Sequence, residues 1–133
     1  MRASQAPNMR GKRVRIVVAD DDLGVLEMAN QLLQPEFEVV EMVSNGRALV
    51  AAAVRLRPDV VVADISMPVL SGIEALRQIR SRMPEIKFVF FTMHDAAEYR
   101  KEAHKAGAAG YVLKSSARED LNQTIRGAVE GPG

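Results

Sequence analysis

The chain alternates between short apolar runs and longer stretches in which apolar residues recur every three or four positions. Unbroken apolar runs of strand length indicate strands buried on both faces, whereas the longer spacing indicates helices with one buried face. The apolar runs predict five strands, at residues 14–19, 37–43, 59–64, 86–91 and 109–113. The periodic stretches predict five helices, at residues 23–34, 47–57, 71–83, 95–106 and 117–129.

This regular alternation of strands and helices predicts an α/β protein with a parallel sheet between two helical layers. We expect the flavodoxin-like (βα)5 three-layer sandwich, a central five-stranded parallel sheet with the strand order 2-1-3-4-5. The second strand shows some polar alternation, which favours a position nearer an edge. The first and third strands are then central neighbours, so the residues that follow them share one crevice.

Local signals define several helix ends. Asp22 is well placed to cap the first helix, and Pro35 ends it. Ser71 is placed to cap the third helix, with Glu74 at capping-box spacing. The fourth helix offers mainly alanine to the sheet, and alanine buries little area, so we expect this helix to be held weakly. Its inward candidates are Ala96, Tyr99, Ala103 and Ala106.

Composition favours one globular domain, since the chain has 133 residues of which 47% are apolar. The net charge of +1 indicates no strong field toward nucleic acid, and the basic residues near the start are typical of a solvated tail. The sequence contains no cysteine, which excludes disulfides and thiolate chemistry. Without a span-length apolar stretch or an apolar signal segment in residues 1–9, we expect a cytoplasmic protein and no membrane partner.

Carboxylates stand at the ends of two predicted strands. Asp20 and Asp21 end the first apolar run, and Asp64 ends the third. Because neighbouring carboxylates repel each other, three acids at one sheet edge need a cation. Magnesium, or manganese in its place, prefers oxygen ligands, and the lack of nearby His or Cys argues against zinc. Each aspartate alone would be read as a turn or cap residue, but the set of three makes that reading the weaker one.

Two further polar residues end later strands. Thr92 follows an apolar run of the fourth strand, and Lys114 follows the fifth. A hydroxyl and an ammonium at the same sheet edge are suited to the oxygens of a phosphorylated aspartate. Alone, Thr92 would be an ordinary strand residue and Lys114 a surface lysine, so the argument depends on their joint placement with Asp64.

These residues together resemble a known family. The matching segments are residues 17–21 (Val-Val-Ala-Asp-Asp), Asp64 with Met67, Pro68 and Gly72, then Thr92, then residues 107–114 ending in Lys114. With these motifs in order, residues 13–130 resemble the receiver (CheY-like) domain of two-component response regulators. Residues 92–95 and 114–116 are most similar to the NarL/LuxR type, also called the FixJ type.

The resemblance implies a role for each matching residue. Asp64 would be the phosphoacceptor, and Thr92 and Lys114 would bind the phosphoryl oxygens. Asp20 and Asp21, with Asp64 and the backbone carbonyl of Ser66, would hold Mg²⁺. Thr92 and Tyr111 would be the switch residues, although Tyr111 fits equally well as a half-buried strand aromatic.

The resemblance also implies partners and domain bounds. A histidine kinase or a phosphotransfer protein would supply the phosphoryl group, and the phosphorylated protein would form a homodimer and control an output such as transcription. Like other receivers, the chain would catalyse only its own phosphorylation and dephosphorylation. DNA would be bound only through an output domain absent from this chain. We expect a disordered lead-in at residues 1–11, the receiver domain at residues 12–130, and a frayed or cut end at residues 131–133.

The sequence departs from the broad family pattern at three positions. Ser115 replaces the usual proline after the lysine, so we expect no cis peptide there. Met93 follows Thr92 where many receivers have a small residue, and we hypothesise that it shields Asp64 from water and small phosphodonors. His94 flanks the expected water path together with Ser66, and we interpret it mainly as an exposed loop histidine.

Three other readings remain open from the sequence alone. A haloacid-dehalogenase-type phosphatase would use Asp20 in the D-x-D pattern that Asp22 completes, but Leu23 and Gly24 do not fit its turn and Asp64 would be idle. A Rossmann nucleotide binder needs glycines where three aspartates stand. A degenerate receiver that only docks partners is disfavoured by the complete set of five site residues.

Overall fold

The computed structural model describes residues 11–131. The strands are Arg15–Ala19 (β1), Glu38–Val43 (β2), Val60–Ala63 (β3), Lys87–Thr92 (β4) and Gly110–Leu113 (β5). The helices are Leu23–Leu33 (α1), Gly46–Leu56 (α2), Gly72–Arg82 (α3), Ala97–Ala106 (α4) and Ala117–Glu130 (α5). The strands form one parallel sheet in the order β2-β1-β3-β4-β5, which confirms the predicted fold class and the edge position of the second strand. Most of the lead-in predicted at residues 1–11 lies outside the described residues.

Helices cover both faces of the sheet. On β1, Ile16 and Val18 pack with side chains of α1 and α5, whereas Val17 and Ala19 pack with side chains of α2 and α3. The same alternation occurs on β3, which is buried along its whole length. Because both faces of the central strands are covered, β3 is apolar at every position and β1 is apolar after Arg15, which explains the unbroken runs in the sequence. Among the described residues, no helix has the length and apolarity needed to cross a membrane.

The predicted helix caps are present. Asp22 Oδ1 accepts a hydrogen bond from the amide of Val25 at 3.2 Å, and Ser71 Oγ accepts one from the amide of Glu74 at 3.2 Å. An additional cap is found at α2, where Asn45 Oδ1 accepts from the amide of Ala48 at 2.8 Å. Asn45 is therefore the N-cap of α2.

The prediction for the fourth helix was partly wrong. Helix α4 begins at Ala97 rather than at residue 95, and Ala96 at its N-cap position makes no side-chain capping bond. Ala96 and Tyr99 are exposed, so they do not face the sheet as predicted, and Ala103 is the one fully buried residue of α4. A helix without a side-chain cap and with a single buried alanine is held by little apolar area, which supports the expectation of weak packing.

The loop between β3 and α3 is tightly constrained. A Cβ atom at Gly72 would lie 2.1 Å from the carbonyl oxygen of Asp64, and one at Gly46 would lie 2.0 Å from that of Leu70. Val69, in the same loop, has φ of 72°, a left-handed conformation that costs a β-branched residue about 1–2 kcal/mol. The two glycines let α2, α3 and the backbone after β3 approach closely, so this loop has little freedom of position.

A buried carboxylate joins the start of β2 to α5. Glu36 is buried, and both of its carboxylate oxygens contact Arg126 Nη1, at 2.5 and 2.6 Å. Asn122 Nδ2 donates to Glu36 Oε1 at 3.3 Å and to the carbonyl of Leu32 at 2.9 Å. Since a buried charge is tolerated only when it is paired, this contact fixes the packing of α5 against the end of α1.

Replacing Arg126 with methionine should lower the free energy of unfolding by about 2 kcal/mol, because Glu36 would lose its charged partner while remaining buried. Urea denaturation at neutral pH measures this loss. The matched control is Arg55→Met, which removes an exposed contact of 2.6 Å with Glu41 and should cost less than about 1 kcal/mol. Equal losses for the two variants would contradict the dependence on burial.

Candidate metal and phosphoryl site at the carboxyl edge of the sheet

The register of the central strands brings two of the predicted acids together. Ala19 of β1 pairs with Ala63 of β3, so Asp20 and Asp64 leave adjacent strands at the same level. The amide of Asp64 donates to the carbonyl of Ala19 at 3.1 Å, and the amide of Asp20 donates to that of Val43 at 3.0 Å. These backbone bonds hold both aspartates at the edge of the sheet, as the sequence predicts.

The three acids form one cluster. Oxygen atoms of Asp20, Asp21 and Asp64 lie within 4.8 Å of one another, with Asp20 only 1% exposed, Asp64 9% exposed and Asp21 at the surface. Burial raises the pKa of the Asp20 carboxyl, although the ammonium of Lys114 and the amide of Asp22 oppose this. A raised pKa means that the folded state loses stability as the pH rises from the ordinary carboxyl pKa to the raised one, because Asp20 ionises more easily in the unfolded chain.

The ammonium of Lys114 lies inside this acidic cluster. Its Nζ is 3.0 Å from Asp64 Oδ2, to which it donates a hydrogen bond, and 2.8 Å from Asp20 Oδ2. Burial by itself lowers the pKa of Lys114, but its contacts with Asp20 and Asp64 outweigh this effect and raise the pKa. Lys114 is therefore charged and acts as an internal counterion for carboxylates from two different strands.

One oxygen of the cluster lacks a hydrogen bond. Asp20 Oδ1 accepts from the amide of Asp22 at 2.9 Å, but the buried Oδ2 has no hydrogen bond of acceptable geometry among the described residues. Its 2.8 Å contact with Lys114 is therefore an electrostatic one. A buried carboxylate oxygen that has this electrostatic contact but, within residues 11–131, no hydrogen bond of acceptable geometry, beside two further carboxylates, fits a hard divalent cation that takes oxygen ligands.

The predicted switch residues lie on β4 and β5 and both contact the backbone of His94. Thr92 is buried at the end of β4, and its Oγ1 accepts a hydrogen bond from the amide of His94 at 3.2 Å. The Tyr111 hydroxyl donates to the carbonyl of His94 at 2.8 Å, and the Arg100 guanidinium lies 4.6 Å from the centre of its ring. Burial raises the pKa of Tyr111, so its hydroxyl stays protonated as this donor.

His94 makes more contacts than the exposed loop histidine that the sequence predicted. It is partly buried, its Nε2 lies 2.9 Å from Ser66 Oγ, and its ring stacks on Tyr99 with centroids 4.2 Å apart. With its backbone bonded to Thr92 and Tyr111, one residue connects the loop after Asp64, two strands and α4. In the sequence, the position of His94 two residues after Thr92 was the one signal of a role near the site. Its stacking on Tyr99 could not be predicted, because it depends on how the loop after β4 folds against α4.

The other local expectations have different outcomes. Met93 is 79% exposed, so it packs little against its neighbours, and its shielding of Asp64 stays a hypothesis. The peptide bond after Lys114 is trans as predicted, and residues Lys114–Ser116 form a short 3-10 turn that the sequence did not predict. The side chain of Ser66 contacts His94, while the role of its backbone carbonyl as a metal ligand stays a prediction.

Comparison with known proteins identifies the family. Residues 16–126 match the family model described as the response regulator receiver domain. The chain is 37% identical over 125 residues to a transcriptional regulatory protein of Bacillus subtilis, YxjL, which is itself uncharacterised. That match covers 92% of this chain and 57% of YxjL. The chain spans about half the length of the curated relatives it matches.

Solved structures give the same result for the fold. A two-component response regulator of the LuxR family from Aurantimonas has a TM-score of 0.83 at 33% identity, with 89% of this chain and 86% of that chain covered. A DNA-binding response regulator of the LuxR family from Staphylococcus aureus has a TM-score of 0.83 at 28% identity, covering 88% and 99%.

The phosphatase alternative gains no support from these matches. Asp22, the second acid of its D-x-D pattern, is engaged as the cap of α1, and Asp64, which that reading leaves idle, lies at the centre of the cluster. Family, fold and the convergence of acids at one sheet edge agree with one another. The chain therefore belongs to the response regulator receiver domain family, and its relatives include transcriptional regulators of the NarL/LuxR type.

Proposed function

We propose that Asp64 is the phosphoacceptor of this receiver domain. The observation that carries the proposal is the Lys114 ammonium held between carboxylates that follow two neighbouring strands, 2.8 Å from Asp20 and 3.0 Å from Asp64. Such an arrangement places a fixed cation beside a carboxylate that has some access to solvent, since the side chain of Asp64 is 12% exposed. A phosphoryl group added there would meet positive charge at once.

The nucleophile needs no separate base. Asp64 Oδ1 accepts a hydrogen bond from the amide of Ile65 at 2.7 Å and Oδ2 accepts one from Lys114, so the carboxylate is oriented and its charge is stabilised. One of its oxygens would form a bond to phosphorus while the bond between phosphorus and the phosphohistidine nitrogen of the donor breaks. The electron pair of that bond stays on the imidazole, and the product is an acyl phosphate.

Receiver domains bind Mg²⁺ at an acidic cluster of aspartates, and the cluster in this chain has a suitable donor set. We infer that Asp20, Asp21 and Asp64, with the backbone carbonyl of Ser66, hold Mg²⁺ and that Mn²⁺ fits the same oxygen ligands. The bound cation would neutralise charge on the phosphoryl group during transfer. The burial of the Asp20 and Asp64 carboxylates and the lack of a well-oriented hydrogen bond from the described residues to Asp20 Oδ2 support this inference.

Lys114 and Thr92 would bind the transferred group. Lys114 would exchange its contacts with Asp20 and Asp64 for a phosphoryl oxygen once the metal balances the carboxylates. The Thr92 hydroxyl, which now accepts a hydrogen bond from the amide of His94, would donate to a second phosphoryl oxygen. Both changes follow from the charge of about −1.5 to −2 that the phosphoryl group brings.

The conformational switch would pass through His94. Movement of Thr92 toward the phosphoryl group would release the amide of His94, whose ring is stacked on Tyr99 of α4. Tyr111, whose hydroxyl donates to the carbonyl of His94, would turn inward behind Thr92 as part of the same switch. Because α4 has one fully buried residue, few apolar contacts would oppose its displacement.

The partners follow from the family. We propose that residues 12–130 form one receiver domain and that a histidine kinase or a phosphotransfer protein phosphorylates it. The domain would catalyse only its own phosphorylation and dephosphorylation. The relatives are transcriptional regulators of about twice this length, so the output would be transcription through a DNA-binding part outside this chain. Phosphorylation would favour a homodimer formed through α4, β5 and α5.

Titration with Mg²⁺ and beryllofluoride, a phosphoryl mimic, tests the central proposal. Amide resonances of Asp64, Thr92 and Lys114 should shift when both ligands are present, because the mimic binds to the Asp64 carboxylate beside the metal. Asp64→Asn should abolish the response while remaining folded. Shifts that persist in Asp64→Asn would show that another residue is the acceptor, and shifts that need no metal would contradict the proposed role of Mg²⁺.

Removing the internal counterion should separate metal binding from phosphoryl binding. Lys114→Met should bind Mg²⁺ more tightly, by about three- to tenfold, because a charge that repels the cation is gone. The same variant should bind beryllofluoride more weakly, since the ammonium no longer pairs with the mimic. Calorimetric titrations measure both constants, with Lys105→Met on the surface of α4 as the control. Weaker Mg²⁺ binding in Lys114→Met would argue against the counterion role.

Hydrogen exchange tests the switch. Binding of Mg²⁺ and beryllofluoride should change the amide protection of residues 95–106 more than that of α1, which has Leu26, Ala29 and Leu33 in the core. His94→Ala should reduce this difference, since it removes the contacts with Ser66 and Tyr99. Unchanged protection of residues 95–106 on mimic binding would refute α4 as the mobile element.

A further inference from the structure

Helices α2 and α3 carry a local excess of positive charge. Together they contain five arginines and one glutamate, an excess of four positive charges, whereas the whole chain carries a net charge of +1. The rest of the chain is therefore net acidic by three charges. The arginines are Arg47, Arg55, Arg77, Arg80 and Arg82. Three of these arginines, Arg47, Arg55 and Arg82, line one surface between the two helices, and such a basic face is a feature of interaction surfaces for acidic partners.

A groove of about 490 Å³ lies on this face between α2 and α3. Its floor is apolar and is formed by Val50, Ala51 and Val54 of α2 together with Leu70 from the loop before α3. Val54 is 39% exposed, although a valine on a helix surface gains nothing from contact with water. Arginines from both helices, Arg47, Arg55 and Arg82, line its sides with Gln78.

The arginines beside the groove are largely free to bind a partner. Within residues 11–131, Arg47 and Arg82 form no ion pair or hydrogen bond through their side chains. Arg55 contacts Glu41 at 2.6 Å, but both side chains are exposed, so this pair contributes little and can be exchanged. An apolar strip with unpaired guanidinium groups on both sides is complementary to a ligand that has apolar and acidic groups in close alternation.

We propose that the groove between α2 and α3 binds an acidic amphipathic segment of a partner protein. Val50 and Val54 are one helical turn apart, so they match apolar side chains spaced three or four residues apart on the segment. Carboxylates flanking those side chains would pair with Arg47 on one side and Arg82 on the other. The apolar floor favours such a segment over nucleic acid, whose backbone phosphates would gain nothing from valine and leucine.

This inference does not depend on the proposed phosphoacceptor role, because none of the groove residues belongs to the acidic cluster. The probe is a synthetic peptide of about 14 residues with leucine at every third or fourth position and glutamate elsewhere. Its addition should shift the resonances of Val50, Val54 and Leu70. The double variant Arg47→Glu, Arg82→Glu should weaken its binding by about tenfold or more.

The matched control is the double variant Lys101→Glu, Arg118→Glu, which changes the net charge equally on exposed positions of α4 and α5. Peptide binding by this control should remain within about twofold, and beryllofluoride binding should be normal in the Arg47→Glu, Arg82→Glu double variant. Absence of peptide binding, resonance shifts outside the groove, or an equal loss in the control would overturn the proposal. Tighter binding of a single-stranded oligothymidine than of the peptide would also overturn it, in favour of a nucleic-acid surface.

Discussion

The contact of the Lys114 ammonium with two carboxylates is the interaction on which the site depends. A buried carboxylate costs several kcal/mol unless a partner compensates it, and here Asp20 and Asp64 share one cation from the end of β5. The contact spans the sheet, because Asp20 follows β1, Asp64 follows β3 and Lys114 follows the edge strand β5. In the proposed phosphorylation of Asp64, the same ammonium would meet a phosphoryl oxygen.

Two kinds of packing surround this contact. Strands β1 and β3 are buried on both faces and fixed by their register, so the acids that follow them have little freedom. Helix α4 has one fully buried alanine and is joined to the site mainly through the stacking of His94 on Tyr99. A charge-driven switch requires rigid elements that hold the charged groups and a loosely packed element beside them. Here β1 and β3 are the rigid elements, and α4 is the loosely packed one.

The successes and failures of the sequence predictions have a common physical cause. The strands were predicted within one or two residues, because a strand covered on both faces must be apolar at every position, as Val60–Ala63 is. The predicted inward orientation of Ala96 and Tyr99 was wrong. A helix with few apolar residues has no strong hydrophobic periodicity, so its buried face cannot be identified from the sequence. The contacts of His94 were missed because they join residues that are far apart in the chain, Ser66 and Tyr111 among them.

By itself, the sequence determined the alternation of strands and helices, the fold class and the identity of the five residues at the strand ends. Those features are local, since each follows from periodicity or from the residue that ends an apolar run. Only the tertiary structure decided that Lys114 lies between Asp20 and Asp64, that His94 bridges Ser66 and Tyr99, and that α2 and α3 enclose a basic groove. These features depend on distances between side chains from separate elements, which are set by strand register and helix packing and not by neighbours in the chain.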